Sequence, residues 1–287
     1  MKLAGRTVVI TGAAGGIGAA LARRFAAEGV AALVLADLDG DAVAAVADSL
    51  SSPGRVGSGG VGTGGVVAGR VEAVGVAVDV TDEAEVAVLV DEAVNRFGQL
   101  DLFCSNAGIL TGQGVEASDA TWQRTWAVNV LAHVYAARAA LPPMLARGEG
   151  YLLQTCSAAG LLTAVGDAPY TVTKHAAVGF AEWLAVTYGD RGIRVSALCP
   201  QGVDTPMLRD GLAAGHPGAL ITAGSGAVLT PDQIADATVE GLAAERFLIL
   251  PHPEVATYLK HKVDDPDRWL GGLRRAVRGL GESPPGP

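Results

Sequence analysis

Thr11-Gly12-Ala13-Ala14-Gly15-Gly16-Ile17-Gly18 lies between a short apolar run at 7–11 and an alanine-rich stretch at 17–28. Glycine at positions 12, 16 and 18 lets a chain turn tightly out of a strand and lets its backbone approach a pyrophosphate. The phosphates then meet the free N–H groups of the helix that follows. Spacing alone is a weak signal, because the chain holds 39 glycines and Gly108, Gly112 and Gly114 repeat the pattern. Context favours the first match. It leads from a strand into a helix, and the next apolar run, Ala-Leu-Val-Leu-Ala-Asp, ends in Asp37. A carboxylate there can accept both hydroxyls of an adenosine ribose. No Lys or Arg lies within 12–18 or 36–40 to neutralise a 2′-phosphate, so the pattern favours NAD over NADP.

Outward from this loop the chain alternates apolar runs with helical patterns. Strands are predicted over 7–11, 32–36, 71–78, 100–105, 151–156, 193–198 and 247–250, and helices over 17–28, 40–50, 83–97, 118–147, 170–188 and 231–244. Continuous apolar strands separated by helices imply a parallel sheet buried on both faces. Seven of them in alternation imply one doubly wound α/β domain of Rossmann type, here expected over 1–253. Two segments interrupt the pattern. Residues 54–69 hold eight glycines in sixteen positions, which provides backbone freedom without packing surface and reads as a surface insertion. Residues 207–230, before the last helix, read as a substrate lid. Residues 254–287 form a C-terminal extension, with Trp269, Leu270, Leu273 and Val277 at helical spacing, a stripe suited to packing.

Composition narrows the function. The hydrophobic content of 49% suffices for a core, and the formal charge of −9 disfavours the clustered Lys and Arg that nucleic-acid binding needs. No apolar run approaches the length of a membrane span, and the N-terminus lacks the pattern of a signal peptide. Cys104, Cys156 and Cys199 each lie in an apolar run without CxxC spacing. Buried thiols in a reducing compartment follow, and the cytoplasm is the expected location. His133, His175, His216, His252 and His261 are too scattered for a metal site.

Tyr170 and Lys174 stand at i and i+4, on one helix face, and Ser157 ends a strand thirteen residues before the tyrosine. These residue types suit alcohol oxidation, in which the O–H proton must leave as hydride departs from carbon. A phenol with a pKa near 10 is a poor base at neutral pH, but a nearby cation favours its anion. A serine hydroxyl can hydrogen-bond the reacting oxygen in both its alcohol and carbonyl forms. Lysine can hold ribose hydroxyls while polarising the phenol. Tyr258 and Lys262 repeat the same spacing, but Lys260 and Lys262 lie in a polar segment beyond the last strand with no serine in register and read as a solvated face. Asp264 and Asp265 read as a solvated turn before Pro266.

Together these motifs resemble the short-chain dehydrogenase/reductase superfamily, over about residues 2–250. By that resemblance Thr11, Gly12, Gly16, Ile17 and Gly18 belong to the cofactor loop, and Asp79 and Val80 to an adenine-contacting pair. Asn106, Ala107 and Gly108 follow Ser105, which stands where the family usually has asparagine. Asn129 matches the helical asparagine of a water-linked proton relay to the lysine, and Ser157, Tyr170 and Lys174 match the catalytic set. Pro200, Val203 and Thr205 match the nicotinamide-side loop, in which Gln201 replaces a usual glycine. The resemblance implies an NAD-dependent oxidoreductase interconverting a secondary alcohol and a ketone. It also implies a homo-oligomer, tetrameric or dimeric, in which the helices at 118–147 and 170–188 pair across a two-fold axis. The apolar residues Leu161, Leu162, Met207, Leu208 and Leu212 suggest an apolar small-molecule substrate. The rival readings are an NADP-dependent carbonyl reductase of the same fold and a catalytically silent nucleotide-binding scaffold.

Overall fold

Seven apolar segments pair into one parallel sheet: β1 (Thr7–Thr11), β2 (Ala32–Asp37), β3 (Glu72–Ala77), β4 (Leu102–Ser105), β5 (Gly150–Thr155), β6 (Ile193–Leu198) and β7 (Leu248–Ile249). The computed structural model describes residues 1–51 and 71–281; the expected glycine-rich insertion at 54–69 lies outside them. Strand order is β3-β2-β1-β4-β5-β6-β7, and every pairing is parallel. The order reverses beside β1, between Val8↔Leu33 on one side and Val8↔Leu102 on the other. A doubly wound sheet opens a crevice at such a reversal, beyond the carboxyl ends of its strands.

The helices are α1 (Gly16–Ala27), α2 (Gly40–Ser51), α3 (Glu83–Phe97), α4 (Asp119–Trp126), α5 (Ala132–Arg147), α6 (Ala168–Tyr188), α7 (Pro206–Ala213), α8 (Pro217–Gly224), α9 (Pro231–Ala243), α10 (Glu254–Asp264) and α11 (Pro266–Gly281). Alternate strand residues feed two cores. Val9, Val34, Phe103 and Leu152 meet Leu89 of α3, Met144 of α5 and Leu184 of α6 on one face. Ile10, Leu33, Leu35 and Leu153 meet Leu21 and Phe25 of α1, Val43 of α2 and Leu242 of α9 on the other. Each such side chain contributes about 1.5–3 kcal/mol on burial. The edge strand β3 departs from the expectation of full burial, since Glu72 and Ala77 are exposed. No helix among the described residues is long and apolar enough to cross a membrane.

Four elements differ from the sequence expectation. The helix predicted over 118–147 is interrupted by a π turn at Ala127–Leu131. The helix predicted from Tyr170 begins two residues earlier, because the Asp167 carboxylate caps it by accepting from the Tyr170 N–H at 3.0 Å. The segment at 207–230 holds the two helices α7 and α8, each entered through a proline in its first turn. Finally, the residues around Tyr258 and Lys262 form α10, which packs on α11.

Candidate active site

At the crevice the glycine loop closes on the loop after β4. Gly12 has φ +66°, and a Cβ there would meet Ala107 Cα at 3.0 Å. A Cβ on Gly18 would overlap the Gly12 carbonyl oxygen, so α1 can begin this close to β1 only with glycine at that position. Thr11 Oγ1 accepts from the N–H groups of Asn106 (3.0 Å) and Ala107 (3.1 Å), and Asn106 Nδ2 donates back to Thr11 O at 3.0 Å. Asp37, at the end of β2, accepts from the Ala14 N–H at 3.0 Å, which ties its carboxylate to the same loop. A Cβ on Gly16 would stand 3.4 Å from the Thr205 methyl group, so the start of α1, including Ile17, faces the loop after β6. The first N–H groups of α1, which no side chain caps, together with the Asp37 carboxylate beside them, fit a dinucleotide. Asp79 accepts from Thr81 N–H and O–H at 2.9 and 2.8 Å. Those bonds hold its carboxyl below the usual range, and Val80 packs against the core beside it.

Toward the middle of the sheet, β5 delivers Ser157 and α6 delivers Tyr170 and Lys174. Lys174 is buried and donates to Thr155 O at 3.0 Å, with Nζ 5.7 Å from the centre of the Tyr170 ring. Burial pulls its pKa below the ordinary lysine value. A Cβ on Gly108 would lie 3.4 Å from that Nζ. Burial pushes the half-buried Tyr170 phenol up to about 12. A hydrogen bond from Ser157 opposes the rise, and Asp167 adds to it. The expectation of a phenol lowered by the lysine is not met: burial raises it, and Ser157 is the group that opposes the rise. Asn129, fully buried in the π turn, exchanges hydrogen bonds with the Ile109 backbone at 2.8 and 2.9 Å and donates to Thr173 Oγ1 at 3.1 Å. The extra residue of a π turn redirects a side chain within a helix, and here Asn129 spans the gap between β4's loop and α6.

The loop after β6 closes the remaining side. Pro200 O accepts from the Ala158 N–H at 2.8 Å, so this loop is bonded to the residue after Ser157. Val203 bridges to Leu229, and Thr205 N donates to Val203 O at 2.8 Å. Gln201, at the usual glycine position, donates its backbone N–H to His252 Nδ1 at 3.1 Å and its Nε2 to Ser225 Oγ at 2.7 Å. The buried His252 returns a bond to Gly202 O at 3.0 Å. A histidine read as merely scattered therefore shapes this loop.

Two further readings change. Asp167, not singled out from the sequence, is 5% exposed and accepts from Thr111 N, Thr111 Oγ1 and Gly112 N at 2.6–2.7 Å, besides capping α6. Its signal was an aspartate directly before an Ala-Pro helix start. Of the two lysines read as a solvated face, Lys260 is exposed and pairs with Asp264, whereas Lys262 is bonded inward to Leu161 O and Leu162 O at 2.7 and 2.8 Å. Tyr258, one turn before Lys262, donates to Ser225 O at 2.7 Å.

The family model described as short chain dehydrogenase matches residues 6–58 and 64–214. A 1-deoxy-11-beta-hydroxypentalenate dehydrogenase from Streptomyces exfoliatus is 35% identical over 269 residues, covering 92% of this chain and 90% of the relative. A 3beta-hydroxysteroid dehydrogenase 2 from Eggerthella lenta is 36% identical over 206 residues, covering 71% and 73%. Among solved structures, a short chain dehydrogenase/reductase from Burkholderia phymatum in complex with NAD aligns with a TM-score of 0.78 at 29% identity, covering 100% of this chain and 99% of that one.

Proposed function

The chain belongs to the short chain dehydrogenase family, and from that premise we propose that it interconverts a secondary alcohol and a ketone with NAD(H). The observation that carries this reading is the meeting of Ser157, Tyr170, Lys174 and Asn129 beside a glycine loop at the sheet's switch point. NAD, when bound, supplies the hydride acceptor. Thr11, Gly12, Gly16, Ile17, Gly18, Asn106, Ala107 and Gly108 would hold its phosphates and central part, with Asp79 and Val80 beside the adenine and Asp37 on the ribose. Pro200, Val203, Thr205, Tyr170 and Lys174 would meet the nicotinamide half. Tyr170 gives or takes the proton at the substrate oxygen, Ser157 orients that oxygen, and Lys174 binds ribose and polarises the phenol. Asn129 fixes the relay behind the lysine. The placement of Asp37 on the glycine loop favours NAD over NADP.

The substrate reading is a hydroxyl on an apolar skeleton. Leu161 and Leu162 after Ser157 support it, as do relatives named for a hydroxysteroid and a hydroxypentalenate. We also read the protein as a cytoplasmic homo-oligomer, from its three buried free thiols and from the exposed Val172, Trp183 and Val186 on the outer face of α6. The test is a panel of secondary alcohols with NAD⁺ and with NADP⁺, followed by absorbance of the reduced cofactor. NAD⁺-linked oxidation of a hydrophobic member is expected. Tight NADH binding without turnover of any alcohol or ketone would leave the scaffold reading instead.

A further inference from the structure

Lys262 has three ammonium protons, and three acceptors stand around it. They are Leu161 O at 2.7 Å, Leu162 O at 2.8 Å and His175 Nε2 at 3.5 Å. His175 Nδ1 lies 2.8 Å from Thr171 O and so carries the ring proton, which leaves Nε2 as an acceptor. The nearby carboxylate, Asp264, pairs with Lys260 instead. Lys262 is thus a partly buried cation held by carbonyls and a ring nitrogen, and burial pulls its pKa down. Leu161 and Leu162 directly follow the 3₁₀ turn Ala158–Gly160, which Ser157 caps. Carbonyls at the end of a helical turn lack partners within it, and among the described residues no other donor reaches these two. One helical turn earlier, on the same face of α10, Tyr258 donates to Ser225 O just past α8, and Ser225 is also held by Gln201. Ala158, Leu162 and Val255 are buried between these anchors, with Tyr258, Leu259 and Trp269 packed on them.

We propose that Lys262 and Tyr258 are positioning residues for the substrate side of the site. Lys262 fixes the wall that follows Ser157, and Tyr258 fixes the far end of the α7–α8 segment against it. The clamp rests on the oxidoreductase reading for its kinetic consequence but not for its structural one. Lys262 touches Leu161, Leu162 and His175 and none of the residues assigned to NAD, so its loss acts first on the substrate wall.

The test uses the full chain with saturating NAD⁺ and three variants: Lys262→Met, Lys262→Arg and Tyr258→Phe. In Lys262→Met, amides of residues 158–165 should exchange about tenfold faster than in the wild type, with β1–β4 unchanged, since local opening is reported segment by segment. Lys262→Arg, which keeps the donors, should restore most of the protection, and Tyr258→Phe should loosen residues 217–226 instead. With the best alcohol of the panel, Lys262→Met should raise KM about tenfold while kcat and the KM for NAD⁺ move less than about threefold. Exchange at 158–165 within twofold of wild type would overturn the clamp, as would loosening spread evenly over the chain. A kcat loss without a KM change would overturn its role toward substrate. If the wild type oxidises no alcohol in the panel, the functional reading fails, while the exchange experiment still decides the clamp.

Discussion

Tyr170 shows how one side chain divides its properties between fold and chemistry. Burial holds its proton up to about 12, above the ordinary phenol value near 10, so the folded site presents an acid at neutral pH. Ketone reduction, which needs the protonated phenol, is therefore expected to be flat across neutral pH and to fall only as the pH nears that raised value. Tyr170→Phe should cut kcat at least a hundredfold while NADH affinity, read by fluorescence titration, barely moves, because general acid–base catalysis is typically a 10²–10⁴-fold effect. Retention of a larger share of kcat would assign the proton to another group. Asp37 is the second residue on which a choice turns. Hydrogen bonds to a charged group contribute about 1.5–3 kcal/mol each, and a 2′-phosphate near that carboxylate adds repulsion of up to several kcal/mol at an effective dielectric near 20. A preference for NAD of at least about a hundredfold in kcat/KM, about 2.7 kcal/mol, is expected after solvent screening. Asp37→Ala should weaken NAD twice over, since the Ala14 N–H also loses its acceptor. It should not create strong NADP use, because no Lys or Arg stands within 12–18 or 36–40. Equal wild-type efficiency with both cofactors would remove that role from Asp37.

Among elements, Asp167 tests how a loop and a helix share one carboxylate. It caps α6 and gathers Thr111 and Gly112 from the loop after β4. Loss of an N-cap alone costs about 0.5–2 kcal/mol, and the loop bonds add to it. Asp167→Ala is expected to cost about 2–4 kcal/mol in denaturant unfolding, and to raise KM for the alcohol because Tyr170 sits in the first turn. A loss below about 0.5 kcal/mol would show that water replaces the carboxylate. The same scale explains what could be read in advance. Strands such as Thr7–Thr11 and Ile193–Leu198 were legible to the residue, because buried parallel strands are short, mostly apolar runs between helical patterns, even where one residue such as Arg194 is exposed. The glycine loop was legible because steric exclusion at Gly12 and Gly18 admits no other residue type. The π turn at Asn129 was not, since its neighbours Val128 and Val130 fit an uninterrupted helix equally well. Nor was the work of Lys262, whose partners lie about a hundred positions away in the chain. A polar helix such as α10 carries no local pattern that names its distant acceptor. His252 escaped for the same reason, because its bonds to Gln201 and Gly202 span about fifty positions.

For the whole molecule, the proposed pairing with a second copy turns on the outer face of α6. The inner face is buried through Thr173, Lys174, Ala177, Val178, Ala181 and Leu184. A second line, Val172, Ala176, Gly179, Trp183 and Val186, repeats at alternating steps of four and three, the seam spacing of helices that pack along their length. It faces outward, with Val172 47%, Trp183 54% and Val186 86% exposed, and Trp126 of the neighbouring α4 is 41% exposed. A helix apolar on two faces is normally covered on both, and a contiguous apolar patch of this kind marks an association surface. Gly179 in the middle of the line would let two copies of α6 approach closely, as an antiparallel pair about a two-fold axis requires. The long helices that carry Asn129, Tyr170 and Lys174 would then be braced by the partner from behind, which links assembly to the geometry of the site. Light scattering at micromolar concentration is expected to give a mass of two or four chains. Trp183→Asp combined with Val186→Lys, both remote from the site residues, should shift that mass toward one chain. Activity per chain should fall with it, through loosened helices more than through any lost contact with substrate. A wild-type protein that scatters as a single chain at those concentrations would show that the stripe is left to solvent, and the pairing of α6 across a two-fold axis would have to be abandoned.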